Sequence, residues 1–191
     1  RGRERIAAYN SPSTSAAPAM EILSLRGRPA LSPFRIAKLH EALSRARPSH
    51  RVAALSARHW HFVETARPLS APELSTLERI LAYGHGDAPD ESAGIALLVV
   101  PRPGTISPWS SKATDIAHVC GLDAVRRIER GRSWRIDAGE ALSRERLAAL
   151  AAPLFDPMTE ALMLDVDEAG RLFETHARGA LRRVVLGSDA E

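Results

Sequence analysis

Cysteine is almost missing from the chain. Cys120 stands alone, which excludes an intrachain disulfide and any metal site built on cysteines. Such usage fits a reducing cytosol, and a cytoplasmic location is expected. Lysine is nearly as scarce, with Lys38 and Lys112 the only two. Arginine therefore carries nearly all of the positive charge, a bias attributed here to codon composition rather than to nucleic-acid binding. The formal net charge is only +3, while the sequence pI is about 9.6. Arg126, Arg127, Arg130, Arg132 and Arg135 cluster, but Glu129 interrupts them. No aromatic stacking platform is recognised around them, so they read as the solvent side of a strand. No apolar run approaches the ~18–20 residues that a membrane span needs, and no signal peptide is visible. Neither nucleic acid nor a membrane is expected as a partner.

What is present describes a soluble globular protein. The 191 residues suffice for one sizeable core or two small ones. The apolar fraction is 45% and the charged fraction 26%, both ordinary for that class. The most informative stretch is 95–122. Its first six residues, IALLVV, are short, β-branched and bounded by Gly94 and Pro101, so they predict a buried strand. A Pro/Gly loop follows at 101–104. Ser107 is then a good helix N-cap, and Pro108 is pre-set for the first helical position. At ~100° per residue, Trp109, Ala113, Ile116 and Cys120 share one face, taken as the buried one. Ser111, Asp115 and His118 share the other, flanked by Lys112 and Thr114.

Ser111, Asp115 and His118 are the ingredients of a nucleophilic triad. A triad needs its base within hydrogen-bond reach of both partners and an oxyanion hole nearby. Residues stacked along one short helix seldom meet that geometry. A solvated face and a face docked on a partner remain as readings. The strand, loop and helix N-terminus also resemble an anion cradle. The P-loop spacing is absent, however, because no second glycine lies between Gly104 and Lys112.

The remaining chain alternates strand and helix signals. Residues 1–19 are Ser/Ala/Pro-rich without an apolar period and are expected to be a disordered leader before Met20. Residues 20–25 predict a strand and 26–29 a turn. Ser32-Pro33 opens a helix with Ile36, Leu39, Leu43 and Ala46 on its apolar side, ended by Pro48. Residues 52–64 are strand-like, with a possible hairpin bend at Ala57-Arg58. Ser70 and Glu73 form a capping box for a helix striped by Leu74, Leu77 and Leu81 and stopped at Gly84. Residues 85–92 read as a linker. Residues 125–137 predict a strand pair turning or bulging at Gly131. Ser143 caps a helix striped by Leu147, Leu150, Ala151 and Leu154, with Pro153 distorting its end. Residues 161–166 predict a strand, 167–175 a short helix and 182–186 a strand.

The order contains a repeat. Ser32-Pro33-Phe34 corresponds to Ser107-Pro108-Trp109, Trp60 to Trp134, and Leu69-Ser70 to Leu142-Ser143. Each unit reads strand, helix, strand pair, helix, strand. A four-stranded sheet with two helices on one face packs such a unit economically. The expected fold is therefore α+β. Two ferredoxin-like halves, about 20–89 and 94–166, would form a pseudo-dimer within one chain.

The residues also carry a family resemblance. The run LLVVPRPGTISPWSSKATDIAH at 97–118, with RIERG at 127–131, LSPFR at 31–35 and LERILAYG at 77–84, closely resembles the N-terminal region of large-type phosphoribosylformylglycinamidine synthases. The resemblance spans about 20–186. It implies a PurS-like domain, a fused equivalent of a dimer of the small PurS subunit, in a purine-pathway amidotransferase. The whole enzyme would use ATP, magnesium and glutamine to amidate formylglycinamide ribonucleotide. This region would pack against the synthetase and glutaminase domains of the same enzyme, with 167–191 beginning a linker region. No catalytic residue, cofactor or metal ligand is expected in the chain itself. Cys120 lacks a nucleophile-elbow context. Val119 stands where the resemblance leads one to expect a polar residue. The interface or substrate-proximal candidates are Arg102, Thr105, Ser107, Ser111, Lys112, Asp115 and His118. The alternative is a free-standing regulatory module that binds a small ligand, as ACT domains do, an analogy of fold alone.

Overall fold

The computed structural model describes residues 21–46, 52–86, 94–139, 143–164 and 166–174. The expectations for 1–19, 182–186, Pro48 and most of the 85–92 linker lie outside them. The fold is α+β. Strands β1 (Glu21–Pro29), β2 (Ala54–Thr65), β3 (Ile95–Pro101), β4 (Val125–Asp137) and β5 (Glu160–Met163) form one antiparallel sheet in the order β1-β2-β4-β3-β5. Helices α1 (Pro33–Ala46), α2 (Ala71–Ile80), α3 (Pro108–Val119) and α4 (Arg144–Ala151) alternate with the strands. Among the described residues no helix is long and apolar enough to cross a membrane.

Side-chain alternation along β2 sorts the packing. Leu55, Ala57 and Val63 point to one face, and Trp60 and Phe62 to the other. On the first face α1 and α4 cover a cluster of Leu55, Ala57, Leu97, Val99, Trp134 and Ile136. On that same face α2 and α3 cover Val63, Val125 and Ile128. The opposite face carries Trp60, Phe62, Leu98, Val100 and Met163. A 3-10 turn at Val166–Phe173 closes it with Ala169, Leu172 and Phe173.

The helix starts follow the local chemistry. Ser70 and Glu73 form the capping box. Ser107 accepts from the Ser110 amide at 3.0 Å, and Ser143 accepts from the Arg146 amide at 3.3 Å. Pro153 falls in a 3-10 turn that ends α4.

Several expectations are corrected. Residues 26–29 continue β1 with a register shift between Arg26 and Pro29 instead of forming a turn. Strand β2 is continuous through Ala57 and Arg58, and β4 is continuous through Gly131. Their shared ladder pairs Ala57 with Trp134 and Trp60 with Gly131. The described residues thus form one five-stranded sheet, not two four-stranded halves. The order strand, helix, strand, helix does occur twice. Trp60 and Trp134 are not equivalent, because they lie on opposite faces. Strand β5 stops at Met163, short of the expected 166, and the short helix expected at 167–175 is present as a 3-10 helix at Val166–Phe173.

The inner face of α3 is also corrected. Ser110, Ala113 and Ala117 are buried, whereas Ile116 and Cys120 are exposed. Pairing of β3 with β4 runs from Ile95–Ile136 to Val99–Arg132. Beyond it, α3 takes the place of a strand beside β4. The Ile128 amide donates to Thr114 Oγ1 at 3.1 Å. Small residues are needed where a helix lies this close to a strand.

Candidate functional site

The loop between β3 and α3 is fastened from below. Glu129, fully buried, accepts from Ser107 Oγ at 3.0 Å and from Arg127 Nε at 3.0 Å. Arg127 Nη2 reaches back to the Thr105 carbonyl at 2.6 Å. Thr105 Oγ1 donates to the Arg102 carbonyl at 2.6 Å, and the Arg102 amide donates to the Thr159 carbonyl at 3.1 Å. A buried carboxylate is tolerable only when its charge and lone pairs are answered, and Arg127 and Ser107 supply those partners.

The seven sequence candidates therefore separate by position. Arg102, Thr105 and Ser107 hold the loop. His118 Nε2 donates to the Val125 carbonyl at 2.6 Å, fixing the exit from α3. Ser111, Lys112 and Asp115 are exposed on the outer side of the helix. Ser111, Asp115 and His118 make no hydrogen bond to one another, so no triad is assembled.

Sequence reasoning missed a second feature. Between the two helix-covered clusters the inner face turns polar. His59 pairs across the ladder with Arg132, and His61 with Arg130. All four side chains share that face. His61 Nε2 lies 2.7 Å from Tyr83 Oη, and its ring meets those of Tyr83 and Trp109 at centroid distances of 5.3 and 5.8 Å. Gly27 lets β1 pass close by, because a Cβ there would lie 2.8 Å from His61 Cε1 and 2.9 Å from His59 Cβ. The Arg130 guanidinium lies over Trp109 at 4.6 Å from the ring centroid. Arg132 Nη2 donates to Glu160 Oε1 at 2.6 Å. Arg130 and Arg132 are thus half-buried beside aromatic rings, which corrects both the solvent-side reading and the absence of a stacking platform. The usable signal was two matching alternations, His59-Trp60-His61 and Arg130-Gly131-Arg132. It became legible only when the strands were paired.

Burial keeps both imidazoles neutral. Desolvation, reinforced by Arg130 and Arg132, pushes His59 down to about 4. Desolvation, reinforced by His59 and Arg130, pushes His61 down to about 3. Burial raises Tyr83 above the usual phenol range. These groups can bind and orient, but a neutral His61 tied to a phenol has no nucleophile beside it. Among the described residues no three His, Cys, Asp or Glu side chains are grouped to hold a metal ion.

The family described as formylglycinamide ribonucleotide amidotransferase N-terminal aligns with residues 58–173, more than half of the chain. The match covers β2 from Arg58 onward, the loop and α3, all of β4, and the 3-10 turn that closes the outer face.

Proposed function

The chain belongs to the formylglycinamide ribonucleotide amidotransferase N-terminal family, and from that membership we propose that it is the scaffolding domain of a phosphoribosylformylglycinamidine synthase. In this reading the complete cytoplasmic enzyme amidates formylglycinamide ribonucleotide with ATP and glutamine during purine synthesis. The domain itself docks the synthetase and glutaminase domains and performs no chemistry. ATP and magnesium belong to the synthetase domain. The described residues do not fit them, having no acidic cluster for a cation and no P-loop spacing.

The observation that supports docking is the outer side of α3. Its inner side is already filled by Ser110, Ala113 and Ala117. Outside, Ile116 is 50% and Val119 88% exposed, one turn apart, and Ile106 in the preceding loop is 65% exposed. Lys112 and Asp115 stand among them. An apolar pair rimmed by charge suits a surface covered by another domain.

The test is Ile116→Asp with Val119→Asp, made both in this chain and in a full-length synthase. The isolated chain should keep its melting temperature, since exposed substitutions change stability by at most ~0.5 kcal/mol. The full-length protein should lose amidation and bind its glutaminase domain less tightly. Full amidation in that protein would leave α3 merely solvated. Ammonia release from glutamine by the pure 191-residue chain would refute the scaffolding role from the other side.

A further inference from the structure

The polar band opens into a cleft of about 460 Å³, lined by Leu31, Val99, Trp109, His59 and Arg130 and by the Arg132–Glu160 ion pair. We propose that this cleft binds the carboxylate of a small molecule, with Arg130 as its anchor.

Three observations converge there. Among the described residues no carboxylate pairs with Arg130. Its guanidinium stands over Trp109 at 4.6 Å from the ring centroid and is shared with the Tyr83 hydroxyl on one side, which leaves its remaining N–H groups to answer an anion. A guanidinium matches a carboxylate bidentately. The neighbouring Arg132 differs, because Glu160 answers its charge at 2.6 Å. Among the described residues that line the cleft, Arg130 is thus the cation without a carboxylate partner, which fits a monoanion. A phosphate dianion would need a second free cation, and Glu160 has taken it. The third observation is His59. It is only 8% exposed, it lines the cleft, and its Nδ1 has no hydrogen-bond partner. A buried polar atom without a partner is costly. His59 lines the cleft beside Arg130, so an anion seated on Arg130 would lie against its ring. The apolar walls then take the body of the ligand, and the volume suits a small organic acid. This site does not depend on the docking side of α3, which lies on the outer surface of that helix.

Benzoate is a suitable probe, with inorganic phosphate as its competitor in kind. In the 191-residue chain labelled with 15N, benzoate should shift the Arg130 Nε–H and His59 ring resonances saturably. Arg130→Gln should weaken binding by about tenfold or more, the size of one lost charge-assisted contact. Arg45→Gln, at an exposed arginine paired with Glu41, should leave it unchanged. If Arg130→Gln does not fold, the wild-type resonances decide alone. Resonances unmoved by benzoate at its solubility limit would overturn the site. Phosphate moving the same resonances at lower concentration than benzoate would overturn the carboxylate assignment.

Discussion

Trp60 and Gly131 face each other across the middle of the sheet, and a side chain in place of the glycine would crowd its neighbours. A Cβ on Gly131 would lie 3.0 Å from Val100 Cγ1, 3.0 Å from the Val99 carbonyl and 3.2 Å from Phe62 Cε2. Gly131→Val should therefore cost about 1–3 kcal/mol, the usual penalty of overpacking, measurable by urea denaturation. From sequence a strand glycine signals a turn, a bulge or a close approach, and only the neighbours decide which. His59 and His61 pose a similar problem, since nothing in their spacing says that they are buried. Their burial predicts a pH dependence with a definite sign. Unfolded imidazoles take up a proton near pH ~6.5, whereas the folded ones do so only near about 4 and about 3. Above the unfolded value both states are neutral and stability is unaffected. As pH falls below it, the unfolded chain gains protons that the fold refuses. Stability must then fall, each imidazole contributing a slope of at most about 1.4 kcal/mol per pH unit. The His59 and His61 ring resonances should keep their neutral positions down to about pH 5. Titration of either near its unperturbed value would show that the ring is solvated.

Helix α3 shows where element-level reasoning from sequence succeeds and where it fails. Its start was legible, because Ser107 and Pro108 act through local geometry alone. Its buried face was not. A stripe of large residues predicts burial when a helix packs over a sheet through long side chains. Here α3 lies beside β4, close enough for Thr114 to take the Ile128 amide, and the close contact selects Ser110, Ala113 and Ala117. The two faces make opposite predictions. Ala117, with no exposure, should not tolerate leucine, and Ala117→Leu should cost about 1–3 kcal/mol. Ile116→Ala should change stability by at most ~0.5 kcal/mol. Denaturation midpoints for the two variants read the orientation directly, and the reverse order would restore the larger stripe. The two long strands were legible as strands but not as continuous ones. Arg58 and Gly131 interrupt their apolar alternation, yet Arg58 Nη1 donates to the Gly27 carbonyl at 2.8 Å within the sheet.

Among the described residues the sheet is apolar on both faces, and the four helices cover one of them. The α+β class was legible from the alternation of elements. The single sheet was not, because strand order depends on pairing between distant segments. The second face belongs to the 3-10 turn Val166–Phe173, whose Leu172 has no exposure and whose Phe173 has 8%. These two side chains lie on Trp60, Phe62, Leu98, Val100 and Met163. The Arg127 guanidinium, which anchors buried Glu129, stands 5.4 Å from the Phe173 ring centroid. The turn therefore joins the outer cover to the fastening of the α3 loop. If it is part of the core, Leu172→Ala should cost about 2–5 kcal/mol. At about 2–4 °C per kcal/mol for a chain of this size, the melting temperature should drop clearly. Dye binding to apolar surface should rise with it, because Trp60 and Phe62 lose their cover. Leu164→Ala is the comparison, since Leu164 is 36% exposed just before the turn and should cost at most ~0.5 kcal/mol. Equal melting temperatures for the two variants would mean that the turn only passes over the sheet, and the outer face would then need another cover.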